Sequence, residues 1–215
     1  MVERVKLDQN KVKGRFIYHF FKRTLDIVAS ACALIILSPL FLVLAILIRH
    51  EDGGPAFYSQ ERIGKDGKPF KMYKFRSMIV NADQLVDQLE DQNEIDGAMF
   101  KIKDDPRITK IGHTIRKYSL DELPQLWNVL IGDMSLVGPR PPLPTEVEEY
   151  TDYDLQRLSV TPGCTGLWQV TKRNDADFDE MVELDIEYIN NSGFFYDLEI
   201  IFRTIGVMIH PNGAY

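Results

Sequence analysis

The chain has 215 residues and a formal charge of −7, room for one domain of ordinary size plus an accessory element. Residues 1–80 carry 14 Lys/Arg against 7 Asp/Glu, whereas the remainder carries 11 against 25. An acidic remainder argues against nucleic acid as a partner, because neutralising phosphates needs a basic face. Two cysteines, Cys32 and Cys164, form no disulfide framework and suit a reducing compartment.

Residues 1–19 read as a polar, partly helical lead-in at a membrane surface. From Ile27 to Ile48 the chain is uncharged and apolar apart from a Ser38-Pro39 pair. About 20 helical residues cross a hydrocarbon core of ~30 Å, so this run is a membrane candidate. A buried helix of a soluble domain has a similar composition, but Phe20, Phe21, Lys22 and Arg23 before the run and Arg49 and His50 after it read as interfacial anchors. The run is too long for the apolar region of a signal peptide and no cleavage site follows it. Seven Lys/Arg precede the run and seven lie between Arg49 and Arg76, so neither side is marked as the outside. Pro39 cannot donate a backbone hydrogen bond and kinks a helix; the Ser38 hydroxyl can take up a carbonyl that the kink frees. A re-entrant helix-break-helix over residues 20–50 accounts for both observations better than its competitor, a straight span.

Glu51–Pro55 breaks the chain. Two β-prone runs then flank Asp66-Gly67, a hairpin signal. In the second run Lys71, Tyr73 and Phe75 alternate with Met72, Lys74 and Arg76. Lys74 and Arg76 either snorkel toward lipid headgroups or meet a phosphate. Asn81–Asn93 predicts a solvated acidic helix, and Asp105-Pro106 predicts the start of a helix to Lys117 bearing Arg107, Lys110, Arg116 and Lys117. Ser119 and Glu122 have capping-box spacing, and Leu123, Leu126, Trp127 and Leu130 form a helical stripe. Asp121 and Glu122 then fall in a first turn, where the helix dipole favours carboxylates and can hold phosphate, although acidic residues are common there without any function. The prolines of residues 132–142 predict a stiff, extended segment holding Arg140, whose guanidinium suits bidentate phosphate contact. Residues 145–158 predict an acidic helix. The glycines of Thr161–Gly166 either admit a nucleotide to the backbone or serve a turn. Phe178–Tyr188 predicts a helix, and Phe194–Ile209 an amphipathic one that packs on the core or docks at a membrane. The fold class is α+β, mainly helical: a small domain (residues 51–215) with a β-hairpin, packed on an N-terminal re-entrant membrane helix and interfacial amphipathic helices, the domain being cytosolic and catalytic on the resemblance that follows.

Six stretches taken together resemble one family: Lys22–Asp26, Ser38-Pro39, Tyr73–Met78, Ser119–Gln125, Gly132–Pro141 and Pro162–Gln169. The chain is similar, from about residue 19 to its end, to the bacterial sugar transferases, the monotopic polyprenol-phosphate phosphoglycosyl transferases. Larger members add membrane helices and a further domain in front, so this chain resembles a minimal form or a catalytic portion.

The resemblance implies a two-step reaction at the cytoplasmic face of the inner membrane, opening capsule, exopolysaccharide or similar glycan assembly. Asp121 would be the nucleophile, attacking the sugar-bearing phosphate of a UDP-sugar, releasing UMP and holding a covalent phospho-sugar. Undecaprenyl phosphate would then accept the sugar phosphate. The family needs Mg²⁺, with Asp121 as the implied ligand and Glu122 as its metal or proton-handling partner. Arg116 and Arg140 are the implied phosphate binders, with Lys74 and Arg76 beside them and Thr165 and Gln169 as substrate contacts. Cys164 departs from the commoner aliphatic residue, with no effect expected on chemistry. The implied partners are the UDP-sugar, undecaprenyl phosphate and the lipid bilayer, with a homodimer compatible. The competing reading is a membrane-anchored nucleotide-binding module without turnover.

Overall fold

The computed structural model describes residues 7–8, 12, 14–85, 105–172 and 176–209. Most of the expected acidic helix at 81–93 and of the lead-in at 1–19 lies outside them. Among the described residues the chain is mostly helical, with two small two-stranded sheets.

The long apolar run is not one straight helix. Helices α1 (Phe16–Ile36) and α2 (Ser38–Asp52) meet at Leu37 and are bent by 60°. Pro39 sits in the first turn of α2, where a missing N–H costs nothing, and the Ser38 hydroxyl donates to the Ile35 carbonyl at 2.8 Å. Among the described residues no single helix is long and apolar enough to cross a membrane. One face of the pair packs inward, with Leu44 and Ile48 against Phe75 and Ile115. The other leaves Ile35, Ile36, Leu42 and Ile46 more than half exposed.

Lys22 and Arg23 do not sit at the surface as anchors. Lys22 Nζ reaches the Val137 carbonyl and Asp197 Oδ2, both at 2.8 Å. Arg23 donates to the Val129 and Leu130 carbonyls at 2.6 and 2.9 Å, and Asp26 accepts from the Leu136 N–H at 2.9 Å. These three side chains lie on the inward stripe of α1, where an unpaired charge would be costly. Each is satisfied by backbone or by an opposite charge from the domain.

Strands β1 (Phe57–Ile63) and β2 (Pro69–Phe75) form the expected antiparallel hairpin, with Gln60 opposite Met72. Its turn uses positive φ at Asp66 and Gly67, the conformation that Asp-Gly adopts most readily. The remaining helices are α3 (Lys110–Lys117), α4 (Gln125–Ile131), α5 (Pro144–Glu148), α6 (Leu167–Thr171), α7 (Phe178–Asn191) and α8 (Phe194–Ile209). The predicted acidic helix over 145–158 is broken into α5 and a 3₁₀ turn at Asp154–Ser159.

A second sheet is absent from the sequence-based expectations. Strand β3 (Ser135–Val137) pairs in parallel with β4 (Gly163–Thr165). A Cβ on Gly163 would lie 2.1 Å from the Gly138 backbone nitrogen, so that glycine serves strand contact and not the approach of a nucleotide. Val137, Leu167, Tyr188, Ile189 and Ile200 close the core over this sheet.

Candidate active site

The dyad is presented by a turn, not by a helix end. Ser119 has φ +55° and makes no capping bond, and Leu120–Glu122 is a 3₁₀ turn. Pro124 has no N–H to enter a hydrogen-bond ladder, so α4 begins only at Gln125 and the capping box is not formed. Helix α3 likewise starts later than predicted: Thr109 caps it by accepting from the Gly112 N–H, while Asp105 pairs with Arg107 at 2.6 Å. Arg107 therefore leaves the expected basic cluster.

The two carboxylates occupy different surroundings. Glu122 Oε1 lies 2.7 Å from Lys74 Nζ. Burial pushes the Glu122 carboxyl up, but the charge and hydrogen bond of Lys74, with Arg140 and Arg62, outweigh it and hold the group below the usual range. Asp121 is buried. Burial pushes its carboxyl up to about 6, against the pull of Lys74 and Arg116 and with the charge of Glu122 adding to the rise. The expectation that a helix dipole keeps Asp121 ionised gives way to one in which cations do so.

Lys74 is aimed by a latch between β2 and α4. Asn128, fully buried, accepts from the Tyr73 N–H at 3.0 Å and donates to the Lys71 carbonyl at 2.7 Å. The strand just before Lys74, at Lys71 and Tyr73, is thus fixed to the helix that follows the dyad.

Arg140 stands on a backbone held at four successive carbonyls. Pro139 O accepts from the Gly163 N–H at 2.8 Å and Pro142 O from the Ile63 N–H at 2.9 Å. Between them, Arg140 O accepts from Arg157 at 3.3 Å and Pro141 O from Arg62 at 3.1 Å. Arg157 is itself buried and paired with Asp185. The Arg140 guanidinium, half-buried, enters no ion pair among the described residues.

A cleft of about 240 Å³, partly continuous with solvent, opens between Lys74, Glu122, Arg140 and Gln169. It brings together four of the residues singled out from the sequence, with Asp121 and Arg116 beside it through their charges. It does not bring in Arg76 or Thr165. Arg76 is committed to Asp52 at the end of α2 and to the Pro55 carbonyl, and the Thr165 hydroxyl meets that of Thr204 at 2.8 Å. Sequence reasoning missed Arg62 and Gln125, both buried and lining the cleft, and the latch residue Asn128. The alternation of β1, which turns Tyr58, Gln60 and Arg62 inward, was the signal for Arg62. Cys164 also lines the cleft, with burial pushing its thiol pKa up so that it stays protonated.

No group of three or more metal-ligating side chains occurs among the described residues. Asp121 and Glu122 still suit Mg²⁺, which commonly takes one or two carboxylates and completes its shell with water and substrate phosphates.

Comparison with known proteins places these residues in context. The chain is 51% identical over 194 residues to a galactosyl transferase, CpsE, of Streptococcus agalactiae, covering 90% of the chain and 43% of that protein. It is 50% identical over 200 residues to an undecaprenyl-phosphate galactose phosphotransferase of Salmonella typhimurium, covering 91% and 42%. A UDP-galactose-lipid carrier transferase of Erwinia amylovora is 44% identical over 219 residues, covering 100% and 45%. The chain thus spans less than half the length of these relatives. A profile of the bacterial sugar transferases matches residues 17–211, and the chain belongs to that family.

Proposed function

We propose that the chain transfers a sugar-1-phosphate from a UDP-sugar to undecaprenyl phosphate at the cytoplasmic face of the membrane, through a phospho-sugar held on Asp121. The observation that carries this reading is the division of labour in the dyad. Glu122 is neutralised by Lys74, whereas the buried Asp121 carboxyl makes no side-chain hydrogen bond or ion pair among the described residues and feels Lys74 and Arg116 at longer range, against the like charge of Glu122. Such a carboxylate is available as a nucleophile. Its oxygen forms a bond to the phosphorus that bears the sugar, the bond from that phosphorus to the UMP oxygen breaks, and UMP leaves with the electron pair. An oxygen of undecaprenyl phosphate then attacks the same phosphorus and the bond to Asp121 breaks, restoring the carboxylate.

Lys74, Arg116 and Arg140 offset the charge that builds up as an anion attacks a diphosphate. Mg²⁺, held by Asp121 with Glu122, would supply further electrostatic neutralisation of the diphosphate. The bent helix pair supports membrane association: its outer face, with Phe195, Phe202 and Ile209 of α8, exposes far more large apolar surface than scattered surface residues would. A re-entrant hairpin dipping into one leaflet would keep the site at the headgroup level, where the lipid phosphate lies, and make the encounter two-dimensional. Three relatives carry galactose in their names, so UDP-galactose is the first donor to try.

The deciding experiment measures UMP release by the detergent-solubilised chain from a panel of UDP-sugars with Mg²⁺ and no lipid phosphate. About one UMP per chain, absent in Asp121→Asn, is the expected burst for a covalent intermediate. Release only on adding undecaprenyl phosphate would establish direct transfer instead, and nucleotide binding without release would establish the binding module.

A further inference from the structure

Arg62 is 5% exposed, yet it enters no ion pair among the described residues. One terminal nitrogen donates to the Pro141 carbonyl and the other to Gln60 Oε1 at 2.8 Å, while Nε is buried without a partner. Its neighbour in the cleft is Arg140, a second guanidinium without a carboxylate. Leaving a buried cation without a counterion is costly, and two side by side more so. Burial and then the charge of Arg140 push Arg62 down to about 10, against the opposing pull of Glu146 and Glu122, neither of which pairs with it directly.

The charges around the dyad fall into two groups. Arg116 acts on Asp121, Arg140 and Arg62 act on Glu122 on the cleft side, and Lys74 stands between them and acts on both. The cleft wall also holds an orphaned acceptor, since Gln169 Oε1 is buried with no partner.

We infer that Arg62 and Arg140 form a second anion subsite, separate from the attacked phosphoryl at Asp121, which binds the phosphate of the leaving nucleoside monophosphate. This rests on the transferase reading above and assigns the other half of the donor. The phosphate supplies the charge that the two guanidiniums lack, and a nucleoside hydroxyl or ring N–H supplies a donor to Gln169. Holding the leaving group there stabilises charge as it develops on the departing oxygen.

The test compares binding of UMP and of uridine to the chain in detergent, for wild type and Arg62→Gln. A charge-assisted hydrogen bond to phosphate accounts for roughly tenfold or more in affinity. UMP binding is expected to weaken by about that factor in Arg62→Gln while uridine binding stays unchanged. Equal loss for both ligands would reduce Arg62 to a prop for Pro141, and unchanged UMP binding would remove it from the site; either overturns the subsite. Should Arg62→Gln not fold, Arg62→Lys carries the test, because lysine keeps the charge but cannot span the Pro141 carbonyl and a phosphate together. The UMP-to-uridine affinity ratio is then expected to fall by about threefold or more, and an unchanged ratio overturns the proposal. UMP release by the wild type with an unchanged ratio would sink the subsite alone, whereas neither release nor UMP binding by the wild type would sink the transferase reading as well.

Discussion

Lys74 Nζ lies 2.7 Å from Glu122 Oε1, with the lysine 21% and the glutamate 34% exposed at the side chain. A partly exposed pair of this kind contributes only about 0–1 kcal/mol to stability, so the proposed role in the chemistry can be tested apart from folding. Lys74→Met is expected to leave thermal unfolding within about 1 kcal/mol of wild type and to lower kcat by about a hundredfold or more. A loss confined to KM would place Lys74 in ground-state binding only.

Asp121 titrates in the folded protein at about 6, above the ordinary value of 3.8. A nucleophile must be ionised, so the rate of UMP release is expected to rise with pH across that region and to level off above it. Stability runs the other way. The folded state holds this proton more tightly than the unfolded chain does, so stability from this group is full below pH 3.8 and is lost as pH rises through about 6. Asp121→Asn removes the burial of a charge at neutral pH. It is expected to be more stable than wild type by on the order of 1–2 kcal/mol at pH 7.5, with the difference vanishing in acid; denaturant titrations at the two pH values measure it.

Asn128→Ala strips the partner from two buried backbone groups, the Tyr73 N–H and the Lys71 carbonyl. The expected cost is about 2–4 kcal/mol in urea unfolding. Because Lys74 lies beside this latch, turnover should fall as well, even in the fraction that remains folded. Wild-type kcat in folded Asn128→Ala would show that β2 is held elsewhere.

Arg157 and Asp185 form a buried pair, and burial pushes Asp185 up to about 6 in spite of Arg157. Arg157→Ala leaves that carboxylate unpaired and frees the Arg140 carbonyl, at an expected cost of about 3–5 kcal/mol. Asp185→Asn, which keeps the shape and removes the charge, should cost less. Thermal unfolding of the two variants tests the order.

The features visible in the sequence are those fixed by neighbours along the chain. Ser38-Pro39 breaks a helix through its own backbone chemistry, and Asp66-Gly67 closes a hairpin through its own φ preference; both lie where expected. Local spacing failed where another local rule overrode it, as at Ser119, whose capping box is cancelled by Pro124. It failed also where the partner is distant. The pairing of Ser135 with Gly163 leaves no periodic mark on short strands, and the flanking positions of Lys22 and Arg23 fit lipid headgroups as well as the carbonyls they bind. Lys74, Glu122, Arg140 and Gln169 do meet at one cleft; Lys74 and Arg140 stood out as cations suited to phosphate, whereas Gln169 was named only through the family resemblance. Arg62 went unnoticed although the alternation of β1 turned it inward, and Asn128 could not be found, since its importance comes from burial.

The four bonded carbonyls from Pro139 to Pro142 have an entropic consequence. Ordering a backbone residue costs roughly 1–2 kcal/mol, and in this segment folding has already met that cost. On the proposed function, a phosphate arriving at Arg140 would have only the rotamers of one side chain to order, and more of the contact energy would be retained as affinity.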